Sequence, residues 1–350
     1  MAQSARRCAD CDTSESSSSV SRRKFLQASA AVGAVAATGG IYPVWSRADE
    51  AVAATAPETT VAKLYGILSD EQKQQICFAW DHVDPKRGLL RTRVANNWHI
   101  TEPAINDDFF SDDQRDLIRE IYKGLLHPDW HARIDRQLED DAGGYGNDQN
   151  IAIFGQPGGD KFEFVMTGRH MTMRCDGNST EHVAFGGPIF YGHAPQDEEE
   201  PGHPGNVFWE QGAAANRVFD MLDGKQRAIA LVSNLPNEQA VAFRGPSGQF
   251  PGLAVSEMSA DQQGEVEKVI AKLVEPYRNA DREEVAACLK SMGGLEKCSL
   301  AFYQDGDIGN DQIWDCWRLE GPSFVWYFRG SPHVHVWANV ASSPDVKLNA

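Results

Sequence analysis

The chain has 350 residues, of which 41% are hydrophobic, so it is long enough to bury one large core or two packed ones. Acidic residues outnumber basic residues by 50 to 33, which gives a formal net charge of −17. This negative charge argues against nucleic acid and anionic membrane surfaces as partners.

The N-terminal segment carries the sharpest local motif. Residues 21–27, Ser-Arg-Arg-Lys-Phe-Leu-Gln, have the order of paired arginine, apolar pair and polar residue that twin-arginine export signals use. The apolar run at 28–41 is the length of a signal h-region and too short to span a bilayer stably. Small residues at 46–48, or at 51–53 as a second option, suit a signal peptidase. We therefore predict a cleaved signal peptide over residues 1–48.

Such a signal predicts where the protein works. We expect a periplasmic or secreted protein that uses the twin-arginine export machinery as a partner and has no stable membrane anchor. The alternative is an uncleaved N-terminal anchor built from the same apolar run. Because this route moves folded proteins, it gives modest support for a metal or cofactor that is loaded before export.

The cysteines indicate no disulfide-rich scaffold. Cys8 and Cys11 leave with the predicted signal peptide, and the remaining five are widely scattered: Cys77, Cys175, Cys288, Cys298 and Cys316. One bridge, for example between Cys288 and Cys298, is an option in an oxidising compartment.

Four segments show the capping box and hydrophobic staple of a helix start. In each, a Ser or Asp stands three residues before a Gln: Ser69 and Gln72, Ser111 and Gln114, Asp223 and Gln226, Ser259 and Gln262. Apolar residues recur at helical spacing after each start. The repetition hints at two related halves.

Between these helices the pattern changes to strands. Aromatic and β-branched residues are concentrated at 151–154, 162–173, 183–190, 300–302, 313–319, 324–328 and 334–337. We therefore predict an α+β fold in which helices cover antiparallel or mixed sheets, forming a single large domain over residues 49–350.

One histidine pair has metal-ligand spacing. His333 and His335 flank Val334 in a predicted strand, so both imidazoles lie on one face of it. The best third ligand is His170, which lies within the predicted strand at 162–173. Three histidines leave a coordination position open, as in catalytic sites. The alternative is that His170 is a hydrogen-bonded core residue and the pair a surface feature.

Other residues near these histidines are weaker candidates. Met171 and Met173 would suit a soft ion such as copper(I), although such methionines are more often core residues. Glu320 is the nearest carboxylate in sequence for acid–base work, and Glu163 is the next. Signatures of nucleotide-binding, classical serine-hydrolase, zincin and c-type haem proteins are missing from the sequence.

Several motifs together resemble the DUF3500 family. Their order carries the resemblance: Gly-Tyr at 144–145, then 153–157, 168–170, 187–192, 318–322 and finally His-Val-His at 333–335. The resemblance extends over about residues 60–340 and implies an exported α+β protein of uncharacterised activity. It also implies that His170, His333 and His335 occupy the family's histidine positions.

The sequence also departs from the pattern of that family. Arg169 stands where many members have a second histidine, and Tyr327 stands where they have a glutamate. An Arg-Asp pair that follows the His-x-His motif in many members is replaced at 336–339. These differences make Arg169 a candidate for a bidentate anion contact.

These observations lead to one functional hypothesis with two alternatives. We expect an exported enzyme in which the three histidines bind one transition-metal ion in a pocket edged by Arg169, Glu320 and Trp337. Copper or iron with oxidative chemistry on a small-molecule substrate is the first choice, because imidazoles alone would bind the ion. A zinc-dependent hydrolase is the closest alternative, and a non-catalytic extracytoplasmic protein that binds a metal or small ligand is the other.

Overall fold

The helices begin where the sequence supplies caps. The computed structural model describes residues 56–177, 179–180, 182–195, 203 and 205–349, so the predicted signal peptide lies outside the described residues. Eight α-helices occur within these ranges: α1 Pro57–Ile67, α2 Asp70–Ile76, α3 Asp112–Gly124, α4 His131–Ala142, α5 Trp209–Met221, α6 Gly224–Ala230, α7 Ala260–Val274 and α8 Asn279–Ser291.

All four predicted helix starts are confirmed. Ser69, Ser111, Asp223 and Ser259 each accept a hydrogen bond from the backbone N–H of the Gln three residues later, and each Gln side chain accepts from the cap's own N–H. Capping boxes of this kind satisfy backbone donors that have no partner inside the helix.

The capping glutamines also join helices in pairs. Gln72 and Gln114 exchange two side-chain hydrogen bonds of 2.8 and 2.9 Å between α2 and α3. Gln226 and Gln262 do the same between α6 and α7, at 3.1 and 2.8 Å. One residue type therefore caps a helix and fixes its neighbour in both parts of the chain.

Thirteen β-strands lie in the described ranges. They are β1 Cys77–Phe78, β2 Val83–Asp84, β3 Gly88–Leu89, β4 Asn150–Gly155, β5 Phe162–Gly168, β6 Met171–Cys175, β7 Ile189–His193, β8 Leu231–Val232, β9 Leu253–Ala254, β10 Ser299–Tyr303, β11 Cys316–Gly321, β12 Phe324–Arg329 and β13 Val334–Val340.

Eleven of these strands form one mixed sheet. Its order is β1-β4-β5-β6-β7-β13-β12-β11-β10-β8, with β9 beside β10, while β2 and β3 form a separate hairpin. Only the outer pairs β1–β4 and β8–β10 are parallel, and all the other pairs are antiparallel. This architecture confirms the predicted α+β class.

The sheet divides into an N-terminal and a C-terminal half. Strands β1 and β4 to β7 form the first half, strands β8 to β13 form the second, and the two halves meet at the ladder between β7 and β13. The relatedness of two halves stays a prediction, although the strand order is symmetric about this ladder.

Each face of the sheet has its own core. Val334 and Val336 face the larger cluster, which includes helix residues such as Ile118 and Val266. Trp337, next along β13, faces a separate cluster on the other side. Alternation along the strand thus divides the apolar side chains between a helix-covered face and a second face.

Three predicted strands are wrong in their bounds. The single strand predicted at 162–173 is a hairpin, because residues 169–170 make a two-residue turn between β5 and β6. The strand predicted at 183–190 begins only at Ile189, after a turn of 3-10 helix over Ala184–Gly186. The strand predicted at 313–319 begins at Cys316. Gly168 and the run Gly186-Gly187-Pro188 are turn signals inside these segments, and the apolar residues around them made each segment look continuous.

The five cysteines of the described chain are free thiols. The suggested bridge between Cys288 and Cys298 is therefore not formed.

Candidate metal centre

Three buried histidine side chains converge at one point. The Nε2 atom of His335 lies 3.0 Å from that of His170 and 2.9 Å from that of His333. All three ligand atoms of the group lie within 4.8 Å of one another. The predicted ligand set is thus brought together by the fold.

The sheet register explains this convergence. His335 in β13 pairs with Gly192 in β7, and His170 directly precedes β6 on the other side of the same strand. A Cβ atom at Gly192 would lie 3.2 Å from Cδ2 of His170 and would collide with the carbonyl oxygen of Val334. The glycine therefore lets two imidazoles meet across a strand.

The alternating pattern predicted His170 to lie inside a strand, and this prediction is wrong. His170 is the second residue of the turn between β5 and β6, with a positive φ of 52°. Its backbone N–H donates to Oδ1 of Asn97 at 3.0 Å. A non-glycine residue in this conformation is uncommon and needs support from its surroundings.

Two carboxylates orient the imidazoles from outside. Nδ1 of His170 donates to Oδ2 of Asp141 at 2.6 Å, and Nδ1 of His335 donates to Oε2 of Glu238 at 3.1 Å. Asp141 is itself held by Gln137 at 2.7 Å and by the backbone N–H of Ala194 at 2.7 Å. Since the Nδ1 atoms carry the protons in this assignment, the Nε2 lone pairs of His170 and His335 face each other.

Burial and neighbouring cations favour the neutral form of His333 and His335. Burial, followed by the proximity of His170 and Arg329, lowers the pKa of His333 to about 3. Burial and Arg329 hold the pKa of His335 well below its ordinary value. Neutral imidazole is the form that binds a metal ion.

The outer carboxylates respond to the same surroundings. Burial raises the pKa of Asp141, but the hydrogen bond and charge of His170 outweigh it, so the pKa is lowered overall. Burial raises the pKa of Glu238 against the opposing charge of Arg329. Asp141 is therefore the firmer anion of the two.

Two of the three nitrogen separations suit a shared small cation. Two bonds of 2.0–2.1 Å at a tetrahedral angle would place the nitrogen atoms about 3.3 Å apart, and smaller angles would bring them closer. The observed separations of 2.9 and 3.0 Å are within a few tenths of an ångström of that value. His170 and His335 carry their protons on Nδ1 in this assignment, so their Nε2 lone pairs would repel each other at 3.0 Å without a proton or a cation between them.

Two family models match this chain. Residues 50–339 match the family described as a protein of unknown function, DUF3500. The chain belongs to the DUF3500 family. Residues 19–39 match the signal sequence of the twin-arginine translocation pathway, which implies export across a membrane by that machinery. No curated protein and no solved structure shows significant similarity to this chain.

The described part of this DUF3500 chain holds no helix with the length and apolar character needed to span a membrane. This finding covers only residues from 56 onward, with the gaps given above.

Of the other predicted site residues, two lie at the DUF3500 histidine centre. Arg169 is half-buried next to His170, and its charge contributes to lowering the pKa of His333 and His335 after larger causes. Trp337 is fully buried and packs on Phe190, whose ring centroid lies 5.2 Å from that of His335.

Glu320 and Glu163 lie elsewhere in the sheet. Glu320 pairs with Val325, which pairs with Asn339, four residues along β13 from His335. Its carboxylate binds Arg318 and Arg244 at 3.0 Å each. Glu163 binds Arg174 at 2.9 Å and Arg91 at 3.2 Å. The structure therefore does not bring either carboxylate to the histidines.

Sequence reasoning missed three residues that contact or flank the centre: Asp141, Glu238 and Arg329. Asp141 had a usable signal, since Glu139, Asp140 and Asp141 fill the last turn of α4 with negative charge and oppose its dipole. Glu238 lies in a segment without regular structure, 97 residues from His335. Nothing in its local sequence marks it.

The centre is closed to bulk solvent but borders a small cavity. The three histidines are 0–2% exposed. A cavity of about 20 Å³, the volume of one water-sized molecule, is lined by His170 together with Gln137, Met171, Met173 and Tyr191 among others.

Proposed function

We propose that this exported protein is a metalloenzyme that binds one transition-metal ion through the Nε2 atoms of His170, His333 and His335. The observation that carries the proposal is the convergence of these three nitrogen atoms, with the outer Nδ1 atoms of two rings bonded to Asp141 and Glu238. Carboxylates behind metal-binding imidazoles fix the tautomer and the ring orientation.

An enzyme suits this arrangement better than a closed storage site. Three protein ligands leave at least one coordination position for a small molecule, whereas structural sites use four. The cavity of about 20 Å³ that His170 lines is large enough for one water-sized molecule. A fourth protein ligand would favour the non-catalytic alternative, and the group found among the described His, Cys, Asp and Glu residues has three.

Copper or iron with oxidative chemistry is our first choice of metal. The donor set is imidazole alone, which suits copper, iron and zinc. Both carboxylates that contact the histidines are engaged in orienting them, so a hydrolase would lack a free general base at the centre. Copper or iron would supply one-electron chemistry, whereas zinc would supply a Lewis acid that lowers the pKa of bound water to about 7.

The zinc hydrolase remains a second candidate because of the nitrogen spacing. The two separations of 2.9 and 3.0 Å are close to the nitrogen spacing of a tetrahedral site. We place the protein in the periplasm or outside the cell, acting on a small molecule.

Elemental analysis by mass spectrometry tests the proposal. The mature protein would be purified from its export compartment beside a His333→Ala/His335→Ala double variant. A His99→Ala/His131→Ala variant, which removes two histidines outside the cluster, is the matched control. We expect about one equivalent of copper, iron or zinc in the wild type and the control, and none in the His333/His335 variant. Folded wild-type protein without any of these metals would refute the metalloenzyme.

A further inference from the structure

Arg329 lies directly beside the histidine centre. It pairs with His335 across the ladder between β12 and β13, so the two side chains emerge on the same face of the sheet. Arg329 Nη1 and His335 Nδ1 also contact the same oxygen of Glu238, at 2.9 and 3.1 Å. The guanidinium therefore borders the centre without being one of its ligands.

Only one part of this guanidinium is satisfied. Nη1 binds Oε2 of Glu238 at 2.9 Å. Nε and Nη2 are buried and have no hydrogen-bond partner among the described residues. Buried donors without partners are unfavourable by about 1–3 kcal/mol each, and more when they are charged.

The two unsatisfied donors share one edge of the guanidinium plane. The N–H of Nε and one N–H of Nη2 point in parallel, which matches the two oxygens of a carboxylate. Because Glu238 holds the opposite nitrogen, this edge faces away from that carboxylate. This edge of the guanidinium has the donor spacing of a side-on contact with a planar anion.

The charges around the centre also favour an anion. Asp141 and Glu238 balance Arg169 and Arg329, so a divalent ion held by imidazoles would add positive charge to the centre. Asp148 and Asp140 border the centre but are shared with other partners: Asp148 with His99 and the backbone N–H of Arg169, and Asp140 with His193 and Arg136. A buried site does not hold an unpaired charge without a large desolvation penalty.

We propose that the centre takes a small carboxylate ligand, clamped side-on by Nε and Nη2 of Arg329 next to the metal. The inference rests on the proposed function for the position of the metal, while the clamp itself depends only on Arg329. The side chains of Glu238 and Arg329 are 21% and 13% exposed, so they mark the approach from solvent. The substrate class that follows is a small carboxylic acid.

Titration calorimetry on the mature holoprotein tests the clamp. Acetate and oxalate are the carboxylate probes, and inorganic phosphate is the comparison. Arg329→Gln removes the charge, and Arg329→Lys keeps the charge but loses the parallel donors. Arg217→Gln is the control, because Arg217 pairs with Glu265 and does not contact the histidines. We expect the wild type and Arg217→Gln to bind a carboxylate probe, and both Arg329 variants to bind it about 10–100-fold more weakly.

The outcomes separate this inference from the proposed function. Metal content is measured on every sample, so an unchanged metal load with unchanged carboxylate binding in Arg329→Gln and Arg329→Lys overturns the clamp alone. Tighter binding of phosphate than of either carboxylate overturns the substrate class. Carboxylate binding that requires Arg329 in a protein without metal supports the clamp and refutes the metalloenzyme. If Arg329→Gln does not fold, Arg329→Lys decides the question.

Discussion

His170 and His335 meet above Gly192, and their Nε2 atoms are 3.0 Å apart although 165 residues separate them in sequence. The space above the strand exists only because Gly192 has no side chain. The consequences of this contact can be measured.

Gly192→Ala should abolish or strongly weaken metal binding. The added Cβ would lie 3.2 Å from the His170 ring and would collide with the Val334 carbonyl oxygen, so β7 and β13 must separate. Metal content per folded molecule, with folding checked by circular dichroism, is the measurement. Gly264→Ala, at a helix position where a Cβ meets nothing within 4 Å, is the control. Wild-type metal content in folded Gly192→Ala would contradict this account.

Asp141→Asn should weaken metal affinity by about 10–100-fold, because the carboxylate that orients His170 is lost. Competition with a chromogenic chelator measures the affinity. Asp135→Asn, in the same helix but paired with Arg119 at the surface, should leave the affinity unchanged. Equal affinities in the two variants would show that Asp141 does not support the centre.

Glu284 should make folding stability depend on pH. Burial, with the charges of Asp176 and Asp281, raises its pKa from 4.5 to about 7. Between these values the unfolded chain loses the proton while the folded chain keeps it, so Glu284 contributes less stability as pH rises from about 4.5 to about 7. Its contribution is fully present below this window.

Glu284→Gln therefore gains stability relative to the wild type on going from pH 4 to pH 8. We expect a relative gain of about 1–2 kcal/mol, after discounting for the partial exposure of the side chain. The amide can still accept the hydrogen bond that the backbone N–H of Phe185 donates to Glu284. Urea unfolding at the two pH values measures the gain, and parallel curves for both proteins would rule it out.

The paired glutamines should be energetically coupled. A double-mutant cycle with Gln72→Ala and Gln114→Ala should give a coupling free energy of about 0.5–2 kcal/mol. The equivalent cycle at Gln226 and Gln262 should give a similar value, since the same two hydrogen bonds are exchanged. Gln263, whose side chain donates only to backbone oxygens, is the control. The effect of Gln263→Ala should add to that of substituting any one of the paired glutamines. Additive effects in both cycles would contradict the coupling.

The cysteines should resist alkylation in the folded protein. Burial raises the pKa of Cys77 and Cys288 to about 11 and of Cys298 and Cys316 to about 12, so little thiolate exists at neutral pH. The unfolded mature chain should titrate five thiols with a colorimetric reagent, whereas the native protein should react slowly. Fewer than five thiols after unfolding would indicate a disulfide.

The four helices that begin with a capping box were the most predictable part of the fold, whereas the other four described helices, which lack one, were not predicted. A capping box is a local signal, so the sequence around Ser69 and Ser259 was sufficient to locate a helix start. Strand bounds are not fixed by local sequence at a turn such as that of His170, whose positive φ no local pattern indicates.

The candidate site was predictable only in part. The spacing of His333 and His335 identified one strand face, and that inference needed no tertiary information. Proximity in sequence favours Glu320, but the sheet register places it opposite a position four residues along β13 from His335. Asp141 and Glu238 reach the histidines from a helix and from an irregular segment, so only the packed structure identifies them.

The position of the centre at the ladder between β7 and β13 has a mechanical consequence. An ion held there would tie residue 170 to residue 335 and so close a loop of 165 residues, much as a disulfide cross-link does. In the chain-entropy treatment of cross-links, a loop of this length is worth about 5 kcal/mol by restricting the unfolded chain. The proposed ion would thus cross-link the two halves of the sheet. Its removal would lower the free energy of unfolding of the whole protein and also disorder the site.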